Sequence, residues 1–147
     1  MLLIFALIAS LTACDQQAMI DKIAPQQEVA LVKQLFAQLA AHDYESVEKQ
    51  LDPSLQTPTL RGALEDVAGQ FPAGPPLSIR IIGSRTQFTT DTTIHDLTLE
   101  YEYSGSWLIG NAVLRSSGAS RSFIAFRVTP RAQSLVSENA FSLGGKS

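Results

Sequence analysis

Between His95 and Tyr103 the chain alternates without a slip. His95, Leu97, Leu99, Tyr101 and Tyr103 fall on one side of an extended strand, and Asp96, Thr98, Glu100 and Glu102 on the other. Successive side chains of a strand point to opposite faces, so this period of two commits the segment to a strand with one face on a core and one toward water. A strand wetted on one side belongs to an antiparallel sheet, because parallel strands are covered on both faces and read as unbroken apolar runs. Leu77, Ile79 and Ile81 alternate with Ser78 and Arg80 in the same way. Ser104-Gly105 predicts a turn into a strand over 107–115, and the Ser/Gly segment 116–120 predicts another into a strand over 121–128. Leu135, Phe141 and Leu143 predict a final strand.

Upstream of the Pro72, Gly74, Pro75 and Pro76 cluster the period is helical. Val29, Val32, Leu35, Phe36 and Leu39 form one stripe of a helix running from Gln26 to about His42. Asp43 is placed to cap a second helix through Leu51, with Tyr44, Val47 and Leu51 inward and Asp52-Pro53 ending it. Thr57-Pro58 predicts the start of a third, carrying Leu60, Leu64, Val67 and Phe71. Helices first and antiparallel strands afterwards is the α+β order, with N-terminal helices packed on a curved, mainly antiparallel sheet. A chain of 147 residues with 45% hydrophobic and 17% charged content suits one such domain, expected over 26–147.

The N-terminal segment does not belong to that domain. Leu2 to Leu11 is an apolar run of ten residues, too short for a bilayer, which needs about 20 helical residues. Thr12, Ala13 and Cys14 follow, and the composition then turns polar at Asp15, Gln16 and Gln17, the outline of a processing boundary. Leu11-Thr12-Ala13-Cys14 resembles the lipobox of bacterial lipoproteins. That resemblance implies a signal peptide over 1–13, cleavage before Cys14, and acyl chains on Cys14 that hold the protein on the membrane facing the periplasm. No Lys or Arg precedes Cys14, whereas such leaders ordinarily begin on a basic residue. Asp15, following the Cys, implies a preference for the inner membrane. Residues 14–25 then read as the lipidated Cys and a tether.

The order and lengths of the elements from Gln26 to Leu143, with the Ala-His-Asp-Tyr-Glu-Ser-Val turn after the first helix, resemble the nuclear-transport-factor-two-like, cystatin-like superfamily. The resemblance implies a cone with a pocket between sheet and helices. Its members range from isomerases to catalytically silent adaptors, so it assigns no chemistry.

Within such a pocket, His95 is the group best suited to proton transfer, since it lies by parity on the apolar face. No carboxylate shares that face along the strand, and Asp96 points the other way. Tyr101, Tyr103 and Trp107 suit either a core or a ligand pocket, being apolar rings with polar handles. Glu100 and Glu102 are expected on the solvated face. Residues 1–102 carry 13 acids and 6 bases, a net of −7, against 1 acid and 5 bases, a net of +4, over 103–147. Arg121 and Arg127 share strand parity and are expected to face outward, where their planar forks suit an anionic partner.

Other chemistries find no support in the sequence. The chain's formal net charge of −3 argues against nucleic-acid binding. Gly144-Gly145-Lys146-Ser147 lacks the glycine that a phosphate loop needs at Ala140, and Gly118-Ala119-Ser120-Arg121-Ser122 lacks the last glycine of a nucleophile elbow. Two histidines and one cysteine do not make a transition-metal cluster, and neither a metal nor a cofactor is expected. The reading that follows is a lipid-anchored cell-envelope module that binds a partner protein or small molecule without catalysis. The alternative is a small isomerase or hydrolase using His95 and a carboxylate that folding brings near.

Overall fold

The computed structural model describes Met19 and residues 24–136. Cys14, the leader, Asp15 and most of the expected tether lie outside the described residues, as do Phe141 and Leu143. Helix α1 spans Gln26–Ala40, α2 Tyr44–Glu48 and α3 Leu60–Ala68, with a 3₁₀ turn at Pro53–Leu55 between the last two. Strands β1 (Ser78–Phe88), β2 (Thr93–Tyr103), β3 (Ser106–Ser117) and β4 (Ser120–Arg131) follow as one open antiparallel sheet in the order β1-β2-β3-β4. The molecule is therefore α+β, with helices N-terminal to the sheet. Among the described residues no helix is long and apolar enough to cross a membrane.

Helix α1 lays its apolar stripe on the sheet. Val29, Val32, Leu35, Phe36 and Leu39 of α1 are all buried, as their spacing predicts. They meet the inward row of β2, where His95, Leu97, Leu99, Tyr101 and Tyr103 are likewise buried. Phe36 lies directly over Gly110 of β3: a Cβ at Gly110 would sit 2.7 Å from its ring. The absence of a side chain there lets helix and sheet close together. A Schellman motif ends α1, with Asp43 N–H donating to Gln38 C=O and His42 N–H to Leu39 C=O. His42 takes the left-handed position usually given to glycine, at φ 59°. Asp43 caps α2 by accepting from Ser46 N–H at 3.2 Å.

Several boundaries differ from the sequence expectation. Helix α2 stops at Glu48, and Asp52 instead caps the 3₁₀ turn by accepting from Ser54 N–H at 3.1 Å. Helix α3 begins at Leu60 behind Thr59, so Pro58 lies in the preceding turn and not at the first helical position. Leu77 is 70% exposed, because β1 begins only at Ser78. Leu135 and Val136 are helical, not extended.

The largest departures come from two β-bulges. In β1, Ile81 pairs with Leu99 but Gly83 pairs with Thr98, so Ile82 is an extra residue. In β4, Phe123 pairs with Leu114 while Ala125 pairs with Val113, so Ile124 is extra. One inserted residue exchanges the two faces for everything beyond it. Arg121 and Arg127 therefore do not share a face. Arg127 pairs with Asn111 on the outer side, whereas Arg121 shares the inner side with Phe123 and meets α1.

The outer face is also less wet than its alternation implies. Glu100 is 1% exposed: its carboxylate accepts from Arg80 Nη2, Ser134 Oγ and the Leu135 N–H at 2.7–2.8 Å. The segment at Ser134–Leu135 crosses this face and buries Glu100, and the three donors compensate its lost hydration.

Candidate functional site

A groove of about 620 Å³ opens between α1, α3, the Pro-rich connection and the near ends of β1 and β2. One wall is a single face of α1, where Lys33, Phe36, Ala37 and Ala40 recur at helical spacing. Phe71 and the segment from Pro72 to Pro76 form the opposite lip, held stiff by its prolines. The floor is Ile79, Tyr101 and Tyr103. Phe36 joins wall to floor and lip, with its ring centroid 6.0 Å from Tyr101 in an edge-on arrangement and 6.3 Å from Phe71. This volume is within the range of small-molecule sites.

Two features set the groove apart from packing space. Tyr101 is 4% exposed, and its hydroxyl has no hydrogen-bond partner among the described residues. Burial, with a smaller contribution from Tyr103, pushes its ionisation well above the usual tyrosine range, so the hydroxyl keeps its proton. A buried donor without a partner costs about 1–3 kcal/mol. At the rim, His42 is held in its left-handed conformation with Nδ1 2.6 Å from the Tyr44 hydroxyl. Strain of this kind gathers at binding sites.

The other end of the same sheet face is polar and internally paired. Glu28, in the first turn of α1, is 8% exposed, and its Oε1 lies 3.3 Å from Arg121 Nη2 and 3.9 Å from His95 Nε2. Arg121 also donates to Gln27 Oε1 at 3.1 Å, and Thr86 Oγ1 lies 3.1 Å from His95 Nδ1. The β1 bulge turns Thr86 inward opposite His95. Ser116, opposite Arg121, has a buried hydroxyl without a partner among the described residues. On the outer side of this end, Asp52 receives Arg115 Nη2 together with the hydroxyls of Ser54 and Ser122. Its carboxyl is lowered to about 2, first by the Ser54 hydroxyl and N–H, then by Ser122 and Arg115. No three His, Cys, Asp or Glu side chains among the described residues converge to hold a metal ion.

The predicted site residues are thus divided. Tyr101 and Tyr103 line the groove. His95 lies six residues back along β2, about 20 Å away, beside a carboxylate that no strand alternation reveals because a helix delivers it. Trp107 pairs with Glu102 and Arg131 and belongs to the outer face. Lys33, Ala37, Ala40, His42 and the Pro72–Pro76 lip were not legible as site residues. The visible signal was the Pro/Gly cluster itself, which read only as a helix stop. No family model, curated protein or solved structure matches the chain.

Proposed function

We propose that this chain is a lipid-anchored envelope protein, with a domain of cystatin-like type that acts as a non-catalytic binding module. Its groove at the C-terminal half of α1 takes a small, largely apolar molecule. The observation that carries the reading is the groove itself, walled by Phe36, Ala37 and Ala40 and floored by Ile79, Tyr101 and Tyr103. The Leu11-Thr12-Ala13-Cys14 sequence supports the anchor, since two or three acyl chains hold a protein on a membrane where one holds only marginally. An anchor at Cys14 and a tether of about ten residues, up to roughly 35 Å when extended, would present the domain to molecules at the bilayer surface.

Two experiments test the two halves. Radioactive palmitate fed to cells should label the wild-type protein and not Cys14→Ser; equal, blank lanes would remove the anchor. The uncharged fluorophore N-phenylnaphthylamine should bind the purified Cys14→Ser protein saturably. Ala37→Trp, which fills the groove from an exposed helix position, should abolish that binding with the circular dichroism unchanged. Binding that survives Ala37→Trp would place the apolar site elsewhere.

A second reading rests on the Thr86, His95 and Glu28 cluster, in which a carboxylate and a hydroxyl flank the two ring nitrogens as in acid/base sites. Under this reading His95→Ala removes turnover in a substrate screen while the fold persists. Turnover equal to wild type in that variant would dismiss it.

A further inference from the structure

Resting on the groove reading, we infer that the natural ligand is an anionic amphiphile, an apolar body ending in a carboxylate or phosphate, and neither a neutral nor a cationic one. The charge of the lining selects for an acceptor. Lys33 is the one Lys, Arg, Asp or Glu in the lining, and its ammonium forms no ion pair among the described residues. An ammonium offers donors and no acceptor. An ionised carboxylate or phosphate only accepts, and so complements it; an amine does not.

The layout gives such a molecule a direction. Lys33 stands at one end of the α1 wall, and Phe36, Ala37 and Ala40 continue along the same face, reaching Ala40 about 10 Å further on at 1.5 Å per residue. A head at Lys33 thus leaves an apolar path for a chain running toward the Pro75-Pro76 lip. Lys33 is exposed, so its pull is a partly screened surface interaction whose effect on affinity is about fivefold at low salt.

Decanoate, decanol and decylamine, each below its aggregation threshold, are titrated against the N-phenylnaphthylamine complex of the Cys14→Ser protein. Decanoate should displace the fluorophore at about one fifth the concentration of decanol, with the advantage shrinking in high salt. Lys33→Gln should erase that advantage, and Lys33→Glu should reverse the order in favour of decylamine. Decanoate-loaded vesicles, compared with free decanoate, separate a bilayer source from a soluble one: vesicle flotation that persists in Ala37→Trp marks surface attraction outside the groove and overturns the inference. Equal displacement by decanoate and decanol, unaffected by Lys33→Glu, overturns the anionic preference while leaving the groove reading in place. Decanoate binding that is indifferent to Ala37→Trp overturns both.

Discussion

The two ends of the inner sheet face, built from the same strand, treat their polar groups in opposite ways. At the His95 end, Glu28, Arg121, Gln27, Thr86 and His95 are linked to one another across α1, β1, β2 and β4, with the Ser116 hydroxyl as the exception. At the Tyr101 end the surroundings are apolar, and the buried Tyr101 hydroxyl has no partner among the described residues. A satisfied cluster ties elements together and has little left to offer a ligand. An apolar groove with few polar contacts of its own leaves its surface open to another molecule. The contrast makes the polar end a clamp and leaves the apolar end an open groove.

The comparison can be broken most severely at Phe36, which joins the groove's wall, floor and lip. Phe36→Ala should cost about 3–5 kcal/mol in chemical denaturation, since a fully buried ring is lost above Gly110, where no side chain can fill in. A loss below about 1 kcal/mol would mean that the groove end collapses readily and is not a built cavity.

At the polar end the dependence should be on pH. The folded carboxyl of Asp52 is lowered to about 2 from an ordinary 3.8. A depressed acid contributes stability that is fully present above its unfolded value and lost as pH falls through its folded one. Thermal midpoints of the wild type should therefore fall more steeply between about pH 4 and 2 than those of Asp52→Asn. Parallel curves would show that the Arg115, Ser54 and Ser122 contacts do not hold the 3₁₀ turn on β4 in solution.

The smallest effect is expected at the groove rim. His42→Gly removes a left-handed conformation worth about 1 kcal/mol and should raise the thermal midpoint slightly, offset by loss of the Tyr44 contact. A lower midpoint would indicate that the ring contact outweighs the backbone strain.

Much of this was legible in the chain itself. The apolar stripe of α1, the alternation of β2, and the Gly105 and Gly118 turns all rest on residues within one turn or one hairpin of each other. The candidate site was legible only in part. Tyr101 and Tyr103 follow from parity, but Lys33 and Ala37 look like the solvent side of a helix until the Pro72–Pro76 lip is placed opposite them. Glu100 looked solvated for the same reason, since alternation along β2 carries no information about Ser134 and Leu135 crossing above it.

By itself the sequence determined the class of fold, the order of its elements, which faces are apolar, and a lipobox-like motif at Cys14, because periodicity and local chemistry act over a few residues. Tertiary structure alone decided which side of the sheet receives Arg121, that Glu28 reaches His95, and that a groove remains beside Tyr101. Each of these turns on a single inserted residue or on the docking of distant segments. A bulge at Ile124 reverses parity with no break in the apolar pattern, and a cavity is a property of surfaces that meet only after the chain has closed on itself.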